Sequence, residues 1–201
     1  MKHEHHHHHG HQHDHVEAYH QLQHQYPHGV RFCPMCGGAL EARVVEPDRK
    51  EHKVCTKCGF IYFLNPKLVA GCLIVEGERT LLIRRGMEPA RGKWTYPGGY
   101  VDLGETPERC AIRETREEIG MTIGTTSASL ELLGVYADRA EKAPSIVVVT
   151  YVAKPGSEAP IVTLEATEIR YFGVEEIPWD DLAFDTTRQA LEAWKARIRN
   201  K

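Results

Sequence analysis

Residues 106–120, Thr-Pro-Glu-Arg-Cys-Ala-Ile-Arg-Glu-Thr-Arg-Glu-Glu-Ile-Gly, leave the backbone little choice. Thr106 suits an N-cap, Pro107 the first helical position and Gly120 a C-terminal stop. At 100° per residue, Ala111, Ile112, Thr115 and Ile119 share one face, and Glu114, Glu117 and Glu118 share another. An apolar stripe therefore meets the core, and three carboxylates stand together elsewhere. Those carboxylates repel one another, and two lie in the last turn, where the helix dipole disfavours negative charge. A solvated acidic face gains nothing from that cost. A divalent cation removes it, because hard cations take oxygen ligands and Mg²⁺ is commonly held by one or two carboxylates plus substrate phosphates.

A second pattern lies upstream. Of six cysteines, four form two close pairs, Cys33/Cys36 and Cys55/Cys58, with eighteen residues between the pairs. No export signal is visible, so the pairs read as metal ligands rather than disulfides. Gly37 and Gly59 follow the second cysteine of each pair and permit the positive φ that aims backbone amides at sulfur. Four thiolates at ~2.3 Å make a closed tetrahedral zinc site with no open position, hence a structural one. A unit of residues 31–63 has little core, so metal binding supplies much of its folding energy. Cys72 and Cys110 stand alone and read as small buried hydrophobes.

From residue 64 the pattern is that of a larger domain reaching residue 201. The apolar run 69–75 fits a buried strand, and 80–84 a returning one across a turn at Gly77. Residues 92–99 read as a loop with a short extended piece. Strands are expected over 130–135, 145–152 and 169–174. A final helix, capped by Asp185 or Thr186, runs to about Arg199 with Leu191, Trp194 and Ile198 inward. Strands with two helices make an α+β domain, a mixed sheet with helices packed on it. Residues 1–30 are a His-rich tail, expected to be disordered; twelve of thirteen histidines lie in residues 1–28. A purification tag, a native metal-buffering tail and a tail with no role remain open. A net charge of −3 makes no electrostatic case for nucleic acid or an acidic membrane. No apolar run approaches the ~20 residues of a membrane span. A cytoplasmic protein is expected.

Residues 99–121 resemble the Nudix signature, G-x5-E-x7-R-E-U-x-E-E-x-G-U with U apolar. Gly99, Glu105, Arg113, Glu114, Glu117, Glu118, Gly120 and Met121 fall in register, eight of nine defined positions. Thr115 departs, standing where the family has an aliphatic residue, and this bears on local packing rather than on metal binding. The resemblance implies a Nudix fold, a mixed sheet sandwiched by helices, and metal-dependent hydrolysis of a phosphate–phosphate bond. It implies Mg²⁺ or Mn²⁺ held by Glu117 and Glu118, with Glu114 a further ligand or the group that orients or deprotonates water. It also implies the Gly99 carbonyl as a ligand, Arg113 as partner to a glutamate and Glu105 as support for the loop. The chemistry agrees: such a cation polarises phosphoryl oxygens and acidifies bound water, and a glutamate takes the proton. Glu165 or Glu168 could complete the site; both also read as ordinary surface acids.

The signature names the bond and not the leaving group. A zinc ribbon ahead of a Nudix domain resembles NADH pyrophosphatases and a separate bacterial and plant group. The Ser-Gln-Pro-Trp-Pro-Phe-Pro stretch of the former is absent after Met121. The segments at 65–67, 71–74, 94–100 and 177–184 are similar to the second group, whose plant members resemble FAD and ADP-ribose pyrophosphatases. This implies a small-molecule nucleotide substrate, a nucleoside diphosphate linked to another moiety (ADP-ribose, FAD or NADH type). A nucleoside triphosphate pyrophosphohydrolase and a non-catalytic nucleotide-binding regulator are the alternatives. Trp94, Tyr96 and Tyr100 are candidate base-stacking residues, with core packing at least as good a reading for Trp94. A homodimer is compatible with the family.

Overall fold

The computed structural model describes residues 30–124, 130–137 and 146–200. The His-rich tail and Ser145, the first residue of one expected strand, lie outside them. The chain divides into two compact units, with the boundary between Pro66 and Lys67.

The first unit is a three-stranded antiparallel sheet ordered β1 (Leu40–Val45), β2 (Lys50–Cys55), β3 (Ile61–Tyr62). Two turns of the same form bring in the cysteines. Cys33 N–H donates to the Gly38 carbonyl at 2.7 Å, and Cys55 N–H to the Phe60 carbonyl at 2.8 Å. Gly37 and Gly59, at φ 69° and 75°, donate back to Cys33 and Cys55. Only glycine adopts that backbone without strain.

The second unit is a mixed sheet ordered β10 (Ala166–Gly173), β5 (Arg79–Arg85), β4 (Lys67–Glu76), β9 (Ile146–Ala153), β8 (Glu131–Ala137). β4 and β9 run parallel, and the other pairs are antiparallel. Strand β4 is buried on both faces, which explains its unbroken apolar run. Ala70, Cys72 and Ile74 join Leu81, Ile83 and Tyr151 in a core closed by Cys110, Ala111 and Ile119 of helix α1 (Pro107–Ile119). Leu73, Leu82 and Phe172 face the other way, onto Ala190, Leu191 and Trp194 of helix α2 (Asp185–Arg199). The expected sheet between two helices is what forms.

Two short strands set the loop ahead of α1. β6 (Trp94–Thr95) pairs with β5, and β7 (Gly98–Tyr100) pairs with β4, with Gly99 opposite Ala70. The glycine pair is thus fixed to the central strand beneath α1. One expectation is corrected: the N-cap of α2 is Phe184, with no side-chain cap, not Asp185 or Thr186. Ala183 N–H donates to the Trp94 carbonyl at 2.8 Å, tying the incoming chain to β6 so that the helix begins at Asp185.

Candidate active site

Helix α1 is capped as its sequence predicts. The Thr106 hydroxyl accepts from Arg109 N–H, and Gly120 ends the helix at φ 69°. Thr115 is fully buried, and its hydroxyl donates to the Ala111 carbonyl at 2.8 Å. That bond satisfies the one polar group the signature does not anticipate there.

The three glutamates of this helix differ in depth, a quantity that their spacing along the helix does not set. Glu117 is exposed, Glu114 half-buried, and Glu118 is only 6% exposed. Glu118 sits one turn from Thr115 and next to Ile119, so it shares their inward side. Its Oε2 accepts from Gly98 N–H at 3.0 Å. Burial pushes its pKa up to about 8, against the opposing pull of that amide. Glu114 is also raised, first by burial, with Glu117 and Glu165 adding to it and Arg113 opposing.

Arg113 organises the rest. Its Nε and Nη2 grip Glu105 bidentately at 3.0 and 2.8 Å. Nη1 reaches Glu114 at 2.7 Å and Glu117 at 3.0 Å, and Nη2 also bonds the Tyr100 carbonyl at 3.0 Å. The guanidinium holds Glu105 below the usual carboxylate range. Loop and helix are thereby joined through one side chain, with the planar geometry that only arginine supplies.

Glu114 rests directly against Gly99, where an added Cβ would overlap its carboxylate. The Gly99 carbonyl faces the Cys110 thiol at 3.5 Å. Carboxylates of α1 and backbone of the glycine loop therefore converge, and the oxygen-only donor set fits a hard divalent cation. The three glutamates do not draw as close as the cysteines: two lean on Arg113 and one on Gly98. Replacing Gly99 by Ala is expected to lower kcat about 10–100-fold with little change in melting temperature. The obstructed group is the far end of the Glu114 side chain, so the fold adjusts while that carboxylate is displaced. Steady-state kinetics beside a thermal melt checks this; an unaltered kcat would refute it.

The aromatic candidates separate. Trp94 and Tyr96 are buried, at 3% and 5% exposure, so both belong to the core and neither offers a face for stacking. Trp94 packs edge-on against Phe172 and lies under the Arg84 guanidinium. The Tyr96 hydroxyl pairs with Thr150 at 2.8 Å. Trp94 lies in β6, opposite Arg84 of β5, and the Tyr96 ring, just beyond that strand, packs over Gly71 of β4, so both rings join the core facing α2. Tyr100 is 48% exposed, with the Lys67 ammonium 5.2 Å over its ring. Glu168 pairs with Arg84 at 3.0 Å, whereas the charge of Glu165 is felt by both Glu114 and Glu118. Sequence reading passed over Arg85, whose Nε donates to the Pro89 carbonyl at 2.7 Å and whose face lies 5.0 Å over Phe184. It is a cation in the field of Glu118 and Glu165. The available signal was a charged pair, Arg84-Arg85, ending a buried strand.

In the first unit, Cys33, Cys36, Cys55 and Cys58 converge. Among the described residues they are the one set of three or more His, Cys, Asp or Glu whose ligand atoms all lie within 4.8 Å of one another. Sulfur pairs stand 3.3, 3.5 and 3.7 Å apart. A tetrahedron with ~2.3 Å zinc–sulfur bonds has edges of about 3.8 Å, so the cluster is close to the required size. Backbone N–H groups of Cys58 and Lys57 bring the Cys55 thiol down to about 6, favouring the thiolate a metal needs.

These two sites on these two folds define a zinc-ribbon protein joined to a hydrolase of phosphate anhydrides. The NUDIX domain family matches residues 65–194 and the Nudix N-terminal zinc ribbon matches residues 31–63; the chain belongs to the NUDIX family and is a Nudix hydrolase. It is 34% identical over 125 residues to an ADP-ribose pyrophosphatase of Methanocaldococcus jannaschii, covering 61% of this chain and 70% of that one. It is 28% identical over 178 residues to the NAD-capped RNA hydrolase NudC of Stutzerimonas stutzeri, covering 83% of this chain but only 56% of that protein. The crystal structure of a NUDIX hydrolase from Nitrosomonas europaea superposes with a TM-score of 0.73 at 32% identity, over 85% of this chain and 93% of that one. Among the described residues no helix is long and apolar enough to cross a membrane.

Proposed function

We propose that this enzyme hydrolyses the diphosphate of a nucleoside diphosphate linked to a second moiety, of the ADP-ribose, FAD or NADH type. The carrying observation is the convergence of Glu114 and the buried Glu118 on the Gly98-Gly99 backbone, braced by Arg113. Glu114, Glu117, Glu118 and the Gly99 carbonyl would hold Mg²⁺ or Mn²⁺, and the cysteines Zn²⁺. When bound, the catalytic cation neutralises phosphoryl charge and lowers the pKa of coordinated water.

The chain's own groups do the rest. Arg113 keeps Glu114 and Glu117 oriented while tying the glycine loop to the helix through Glu105 and the Tyr100 carbonyl. A water oxygen attacks one phosphorus, the bridging P–O bond breaks, and Glu114 accepts the proton; two phosphate monoesters leave. Tyr100, the exposed ring beside the site, is the stacking residue of choice for the base. The similarity to a protein named ADP-ribose pyrophosphatase supports the linked-diphosphate reading over a triphosphate one.

The test is a panel of ADP-ribose, FAD, NADH and nucleoside triphosphates with Mg²⁺ or Mn²⁺. The expected result is release of a nucleoside monophosphate from one or more linked diphosphates, with triphosphates slower. Turnover of triphosphates alone would overturn the substrate class. Tight binding with no turnover would favour a regulator.

A further inference from the structure

Arg113 is engaged with Glu105, Glu114 and Glu117, and Arg84 pairs with Glu168 and Asp181. Arg85 differs from both. Its Nε donates to the Pro89 carbonyl at 2.7 Å, and its guanidinium lies 5.0 Å over the Phe184 ring. Among the described residues its two terminal nitrogens make no hydrogen bond or ion pair, and neither is sealed from solvent. The side chain is thus fixed at its stem and open at its tip. Strand alternation turns it toward the carboxylates. Leu81 and Ile83 of β5 belong to the core under α1, and Leu82 to the core under α2. Arg85 continues the Leu81 and Ile83 side. Register agrees: Arg85 stands opposite Ala166, a member of the α1 core, and Gly86 N–H donates to the Glu165 carbonyl at 2.8 Å. Gly99, against Glu114, lies on the same side, opposite Ala70 of that core. Burial lowers the Arg85 pKa, and the charges of Glu118, Glu88 and Glu165 oppose that shift. The carboxylates are therefore near enough to be felt, yet none is paired with this guanidinium.

Resting on the proposed function, we infer that Arg85 binds the diphosphate of the substrate, its two terminal nitrogens donating to non-bridging phosphate oxygens. A half-buried charge without a partner is costly, and a phosphate anion at these nitrogens removes that cost. The planar fork matches phosphate oxygens in charge and in geometry. Pro89 and Phe184 hold the side chain in place before substrate arrives, so little conformational freedom is lost on binding. The glutamates and the arginine then divide the work. The glutamates would hold the divalent cation, and Arg85 adds a cation that belongs to the chain itself.

The experiment measures equilibrium binding of ADP and ADP-ribose to the full chain in the presence of Mn²⁺, and of Mn²⁺ alone to the nucleotide-free chain. It compares the wild type with Arg85→Met and Arg85→Lys. Arg85→Met is expected to weaken both diphosphates by about 10–100-fold, the range of a hydrogen bond to a charged group, and to leave Mn²⁺ affinity undiminished. Arg85→Lys keeps the charge without the fork and should regain part of the loss. On the linked diphosphate that the wild type hydrolyses, kcat/KM should fall by at least the same factor. Unchanged diphosphate binding in Arg85→Met overturns the inference. So does a parallel loss of Mn²⁺ affinity, which would mean that Arg85 only supports the shape of the site. The wild-type substrate panel decides the proposed function and the binding ratio between variants decides the role of Arg85, so the two fail separately.

Discussion

Replacing Glu118 by Gln is expected to lower turnover by about 10²–10⁴-fold and, at the same time, to stabilise the metal-free protein above neutral pH. The first effect follows from removing the negative charge of a proposed metal ligand, whose cation would supply several kcal/mol to the transition state, at 1.36 kcal/mol per tenfold. The second follows from burial. Unfolded, Glu118 titrates near its ordinary 4.5; folded, it titrates at about 8. A raised folded pKa leaves stability intact below the unfolded value and erodes it as pH rises through the folded one. The metal-free wild type should therefore lose stability between about pH 4.5 and 8, on the order of 3–5 kcal/mol at the upper end. A glutamine in its place carries no charge, and the variant should be flat across that window. Mg²⁺ or Mn²⁺ should raise the melting temperature of the wild type most at pH 8 and that of the variant little. Thermal melts across pH, with chelator and with metal, are the measurement. A variant that keeps full activity, or a wild-type curve flat from pH 5 to 8, contradicts the role given to Glu118.

Removing zinc should unfold the ribbon. Between residues 30 and 66 the buried apolar side chains are Cys33 and Cys55 alone, both of them candidate ligands. Phe32, Met35 and Val44 are 67%, 71% and 66% exposed. No hydrophobic core remains to oppose the chain entropy of these residues, which runs at roughly 1–2 kcal/mol each. Zinc binding, on the order of 10–16 kcal/mol in comparable small domains, is the term large enough to offset much of it. Metal analysis should find one tightly held zinc per chain. A strong chelator at neutral pH, or Cys55→Ser, should open residues 31–63 to protease while the second unit, with its own two core clusters, stays resistant. A ribbon that survives complete zinc removal would sink this account.

Much of the catalytic helix was legible because its determinants are local. Caps, periodicity and the glycine stop act within a few residues, and Thr106, Pro107 and Gly120 sit where those rules place them. The cysteine pairs were equally readable, since each turn is closed by its own backbone. Depth was the harder quantity. The wheel grouped Glu118 with Glu114 and Glu117, yet Glu118 lies against the core, because how far a helix rotates onto its sheet depends on what the sheet presents. The same limit applies to the aromatics. Trp94 and Tyr96 stand in a motif rich in glycine and proline that reads as a binding loop, but pairing with β5 carries Trp94 inward, and Tyr96, just beyond that strand, packs over Gly71 of β4.

By itself, then, the order of residues determined the chemistry on offer: three carboxylates on one helix, an arginine ahead of them, four thiols in two turns. Those patterns depend on neighbours in sequence, where geometry is nearly fixed. Only the tertiary structure decided which groups meet. It laid Gly99 beneath Glu114 by pairing it with Ala70, and gave Arg113 both Glu105 and the Tyr100 carbonyl to hold. Contacts between distant segments are set by strand register and packing, and these depend on the whole core at once.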